Sequence, residues 1–197
     1  MAATVTTGRE TTDGRKQAEH GFTLIEVMVS MVVLTIGLLS LLAVFGLAMA
    51  ATQTSQQDMI AKQLANEALE SIVTARNTAQ LQWDQVQNVG SGSGIFVTEM
   101  QPINLPGADG IVGTADDATA SEQTLTEPGP DGIYGTADDV QLPLSNYQRQ
   151  VTISQVADAS GNLVTSLRGI NVTIQYTTPR LATAKTYVLS SYISQFR

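Results

Sequence analysis

The distribution of apolar side chains divides the chain into four stretches. Residues 1–21 are polar. From Phe22 to Ala51 the run is almost wholly apolar, with Glu26 as its only charged side chain. Thirty helical residues span roughly 45 Å, against about 30 Å of bilayer hydrocarbon. The run is therefore long enough to cross a membrane and continue beyond it. Gly37 and Gly46 are its only glycines, and no proline occurs before Pro102, so the spacing predicts one helix extending well past the apolar stretch. Its continuation is amphipathic: Ile60, Leu64, Ala68, Ile72 and Ala75 recur every three or four residues, with Leu69 and Val73 beside them. Asp58, Lys62, Glu67 and Arg76 fall on other faces. The helix is expected to end between Asn77 and Asn88, before the flexible connector Gly90-Ser91-Gly92-Ser93-Gly94.

The pattern then changes period. Ile95–Thr98 reads as a short strand, and a proline-rich acidic segment follows over 99–143. From Tyr147 the alternation is that of strands. Val151 and Ile153 alternate with polar neighbours, Asp158–Asn162 is a turn, and Ile170, Val172, Ile174 and Tyr176 alternate with Asn171, Thr173, Gln175 and Thr177. Pro179 is expected to break that strand, and Tyr187, Leu189 and Ile193 mark a last one. The expected fold is α+β: a long N-terminal helix whose amphipathic half packs on a C-terminal antiparallel sheet. The divisions are a leader (1–21), a transmembrane and assembly helix (22–51), an amphipathic helix (52–89) and a β-rich domain (90–197) carrying an acidic loop insertion (99–143).

Composition narrows the chemistry. Cysteine is absent, and the single histidine, His20, precedes the apolar run. Disulfides, cysteine-zinc sites and thiol nucleophiles are excluded, and a chain starting at Phe22 would also lack the commonest general base. No arrangement of carboxylates, serines or lysines suggests an enzyme. The net charge of −8 is local in origin. Nine acids and no base lie between Thr98 and Val140, and without them the chain would carry +1. Such a block repels nucleic acid, and no basic stripe for phosphate is present. Residues 1–21 also lack the apolar core of a secretory signal.

A carboxylate inside an apolar membrane helix costs about 2.5 to 3.5 kcal/mol on insertion scales. Glu26 therefore calls for a partner. The segment Gly21-Phe22-Thr23-Leu24-Ile25-Glu26-Val27 closely resembles the start of type IV prepilins and type II secretion pseudopilins. The resemblance implies cleavage by prepilin peptidase after Gly21 and N-methylation of Phe22. It implies that Glu26 pairs with the new N-terminal amine of a neighbouring pilin or pseudopilin subunit. It also implies residence in the inner membrane, with a cytoplasmic N-terminus, before entry into a pilus or periplasmic pseudopilus. Arg15 and Lys16 agree with that orientation under the positive-inside rule. Thr35-Ile36-Gly37-Leu38-Leu39 looks most like minor pilins of the PilV type and pseudopilins of the I type. The sequence departs from the family in having Ala18-Glu19-His20 before the junction and no helix-breaking proline near Ala43. The second departure favours a minor pilin or pseudopilin. An ordinary signal anchor with an interfacial Glu is the competing reading.

One further feature is a repeat. Gly107–Asp117 (GADGIVGTADD) recurs as Gly129–Asp139 (GPDGIYGTADD), with nine of eleven positions identical. Asp109, Asp116 and Asp117, and then Asp131, Asp138 and Asp139, supply three carboxylates per copy. Together with a Thr hydroxyl and carbonyls in glycine-rich turns, they suggest calcium, a hard cation wanting six to eight oxygens. The repeat resembles D-G-x-x-G-T-x-D-D loops of secreted calcium-binding and adhesive proteins. A calcium-dependent adhesin module on a pilin anchor is thus a second expectation; the alternative for the loops is a pair of Asp/Gly turns without an ion.

Overall fold

The computed structural model describes residues 21–178 and 181–196. The described residues fall into two units, one ending at Leu47 and one beginning at Ala48. Helix α1 runs from Leu24 to Asn77. Within the first unit its apolar side chains are exposed, Phe45 among them at 65%. It is long and apolar enough to cross a membrane.

The second unit holds the sheet. Strands β1 (Gln101–Pro102), β4 (Tyr147–Ala157), β5 (Leu163–Thr178) and β6 (Leu181–Ser194) form one antiparallel sheet in the order β1-β4-β5-β6. Strands β2 (Thr124–Glu127) and β3 (Val140–Pro143) form a separate antiparallel pair. The β4–β5 turn closes where expected: Asp158 N donates to Asn162 O at 2.8 Å, and Asp158 Oδ1 accepts from Ser160 N and Asn162 N.

Sheet and helix share one core. The inward positions of β5 are Ile170, Val172, Ile174 and Tyr176, as their alternation predicts. Opposite them on β4 are Ile153, Val151, Arg149 and Tyr147. The helix meets this face with Ala61, Leu64, Ala65, Ala68, Ile72 and Ala75. The expected stripe included Ile60 and omitted Ala61 and Ala65. Ile60, Leu69 and Val73 are only half-buried, because the alanines lie at the centre of the contact, where small side chains allow close approach.

Two expectations for the middle of the chain are corrected. Ile95–Thr98 is not a strand. Phe96 is fully buried and makes only isolated bridges, to Asn88 and Thr114. Nor is the acidic insertion all loop, since it contains the β2–β3 hairpin. Leu125 and Leu142 are half-buried partners in that pairing, and the alternation of Thr124–Glu127 and Val140–Pro143 was its sequence signal. Pro179 lies outside the described residues, although β5 does end at Thr178.

Candidate functional site

Gly21 and Phe22 are exposed and precede the helix. The leader residues before them lie outside the described residues. At the helix start, Thr23 and Glu26 form a reciprocal cap. Thr23 N and Thr23 Oγ1 each donate to Glu26 Oε2 at 2.9 Å, and Glu26 N donates to Thr23 Oγ1 at 3.3 Å. This is a capping box, in which side chains satisfy amides that the first turn of a helix leaves unpaired. The carboxylate is also favourably placed at the positive end of the helix dipole. Sequence reasoning gave Glu26 no partner within its own chain. The Thr-x-x-Glu spacing was the signal it missed.

The repeated loops adopt one geometry twice. In the first, Ile111 N donates to Asp109 Oδ1 at 2.8 Å, Thr114 Oγ1 to Asp116 Oδ1 at 2.6 Å, and Gly113 N to Asp117 Oδ2 at 2.7 Å. In the second, Ile133 N donates to Asp131 Oδ1 at 2.8 Å, Thr136 Oγ1 to Asp138 Oδ1 at 2.6 Å, and Gly135 N to Asp139 Oδ2 at 2.7 Å. Gly110 and Gly113 have φ of 68° and 90°, and Gly132 and Gly135 have 69° and 86°. These are left-handed positions that glycine fills without strain. The acids thus close their own turns. Among the described residues, no group of three or more acids is gathered as a ligand set for a metal.

The surroundings of the two copies differ. The first is built into the core: Ile111 and Val112 are 3% and 1% exposed. Val112 N donates to Ser71 Oγ on the helix at 3.3 Å, and Gln80 Nε2 donates to Asp109 O. Asp117 is buried and accepts from Gly107 N at 2.8 Å as well as from Gly113 N. Burial pushes its carboxyl pKa up, against the opposing pull of those two amides and of the Arg149 guanidinium. Arg149 is the base that the β4 alternation carries inward. Burial lowers its pKa, opposed by the charges of Asp117 and Glu67. In the second copy Ile133 and Tyr134 are 60% and 67% exposed, and no ion pair joins its acids to a base among the described residues. Asp139 Oδ1 is enclosed but accepts no hydrogen bond, whereas its counterpart Asp117 Oδ1 accepts from Gly107 N.

A third cluster fastens the helix to the far strands of the sheet. Tyr176 Oη donates to Asp58 Oδ1 at 2.5 Å, and Lys185 Nζ lies 3.1 Å from the same oxygen. The hydrogen bond from Tyr176, aided by Lys185, holds the Asp58 carboxyl below the usual carboxylate range.

No curated protein and no solved structure matches the chain significantly. Residues 16–52 match the family model described as the prokaryotic N-terminal methylation motif. That segment takes in the Gly21-Phe22 junction, Glu26 and the apolar stretch of α1. The match, with a long apolar helix leading into an antiparallel sheet, supports a type IV pilin-like prepilin, a pilin or pseudopilin subunit processed by prepilin peptidase.

Proposed function

We propose that the chain is a minor-pilin-like structural subunit, cleaved after Gly21, N-methylated on Phe22 and assembled through the apolar half of α1. The observation that carries this reading is an unbroken apolar helix with a single acid one turn from a Gly-Phe junction. Among the described residues, the large apolar side chains from Phe22 to Met49 are exposed, so they require lipid first and other helices later. Prepilin peptidase and the helices of neighbouring subunits are the partners, and the N-terminus starts on the cytoplasmic side. Mass spectrometry of the mature protein tests the reading. The expected N-terminus is a methylated Phe22, and an intact leader on exported protein would overturn it.

A pseudopilin of type II secretion uses the same helix and differs in the machine it joins. Deletion that abolishes secretion while leaving pili intact identifies that case.

We propose calcium as a secondary ligand, confined to the second loop. The supporting observation is Asp139 Oδ1, which lies enclosed and without a donor beside Asp138 in a segment free of bases. The loop is already closed by its own hydrogen bonds. A cation would neutralise charge there rather than create the turn.

A further inference from the structure

The three long strands distribute their charges against the usual rule. An antiparallel sheet packed on one side normally turns its charged residues to the solvated side. Here β4, β5 and β6 carry one charged residue each, Arg149, Arg168 and Lys185. All three belong to the helix side. Arg149 is 3% exposed, Arg168 donates to the carbonyls of Trp83 and Val86, and Lys185 pairs with Asp58. The opposite face is thereby left neutral, in a chain whose net charge is −8.

Strand register defines that face. Residues in line across the three strands make four rows of three, from Ser154–Gly169–Tyr192 at one end to Gln148–Gln175–Thr186 at the other. The rows cover about 10 Å by 20 Å at ordinary strand spacings. Nine of the twelve residues are Ser, Thr, Asn or Gln, whose side chains both donate and accept hydrogen bonds. Tyr192 is 70% exposed, and its Cε1 stands 3.8 Å from where a side chain on Gly169 would begin. The ring leans across a glycine while most of it stays open to solvent. In the next row Ser190 Oγ donates to Asn171 Oδ1 at 2.6 Å. That bond directs the carboxamide and leaves Asn171 Nδ2 without a partner among the described residues.

This chemistry selects its partner by exclusion and by match. Without an outward base the face cannot hold phosphate, which excludes nucleic acid and acidic lipid headgroups. Only Val188 and Tyr192 are large and apolar, too few for the core of a protein interface. A neutral array of hydroxyls and carboxamides beside an open aromatic ring matches a sugar chain. Sugar hydroxyls likewise donate and accept, and the C–H side of a sugar ring stacks on an aromatic face.

We propose that the outer face of β4, β5 and β6 binds a neutral polysaccharide, with Tyr192 as the stacking platform and Asn171 as the donor beside it. The site lies within the second unit and stands independently of the filament reading.

The test is retention of the full-length chain on insoluble cellulose and chitin, with dextran sulfate beads as the anionic control. A polyoxyethylene detergent holds the chain in solution without supplying sugar. Retention on a neutral matrix is expected, unchanged between about 0.05 and 0.5 M salt because no charge takes part. Tyr192→Ala should weaken it about twofold to tenfold, and Tyr192→Phe should preserve it. Asn171→Ala should weaken it by a similar factor. Tyr134→Ala removes a tyrosine of similar exposure, 67%, that is set among acids, and should leave retention unchanged. Both tyrosines are exposed, so neither substitution should move the melting temperature appreciably. Retention on neither neutral matrix would overturn the site. So would equal losses from the two tyrosines, release by salt, or Tyr192-dependent pairing with a second copy of the chain in place of sugar.

Discussion

Glu26 Oε2 accepts hydrogen bonds from both the amide and the hydroxyl of Thr23, each at 2.9 Å. The acid that a neighbour's amine is proposed to recognise is therefore already oriented by its own helix. A pre-oriented carboxylate loses less freedom on pairing. Cap and charge can be separated by substitution. Glu26→Gln keeps an acceptor for Thr23 but removes the charge, and Glu26→Ala removes both. If pairing drives assembly, both variants insert and are processed, and both fail to enter filaments. Normal incorporation of Glu26→Gln, scored by subunit content of sheared filaments, would leave the residue only its capping role. Loss of the cap alone should cost about 0.5 to 2 kcal/mol of local helix stability.

The sealed and exposed loops should respond unequally to the same change. Ile111→Ala removes a buried side chain and should cost about 2 to 5 kcal/mol. Ile133→Ala, at the equivalent exposed position, should stay within about 0.5 kcal/mol. Denaturant unfolding of the two variants measures the difference, and equal losses would contradict the distinction between the copies.

Asp58 gives a pH dependence of known sign. Its pKa is lowered in the folded state, first by the Tyr176 hydroxyl and then by Lys185. Its stabilising contribution is therefore present above the unfolded value of about 3.9 and is lost as pH falls through the lower folded value. Asp58→Asn should flatten the acid side of the stability profile below about pH 4. An unchanged acid limb would show that the contact between helix and sheet does not depend on this charge.

Thermal melting in calcium, magnesium and chelator tests the cation at the second loop. With a dissociation constant on the order of 0.1 to 1 mM, millimolar calcium should add about 0.4 to 1.4 kcal/mol. Asp138→Asn with Asp139→Asn should reduce that gain. Identical melting curves in all three conditions would leave the repeat as a pair of self-closed turns.

Sequence alone determined the elements whose periodicity is strong. The apolar run set the membrane-length helix, and the alternation of Ile170, Val172, Ile174 and Tyr176 set the buried face of β5. Local rules suffice there, because side-chain direction in a helix or strand follows from spacing. The Gly-Phe junction with Glu26 was likewise legible, since its residues are adjacent in the chain. The helix stripe was legible only in part. Ala61 and Ala65 carry a weak hydrophobic signal, and only the approach of the sheet shows that they hold the centre of the contact. The inward Arg149, the Tyr176–Asp58–Lys185 cluster and the different environments of Ile111 and Ile133 were decided by tertiary structure. Each depends on which distant segment lies opposite, over 118 residues in the case of Tyr176 and Asp58. Two nearly identical eleven-residue stretches encode the same turn. One is covered by a helix and a sheet and the other is not, because burial is a property of the surroundings a segment folds against rather than of the segment itself.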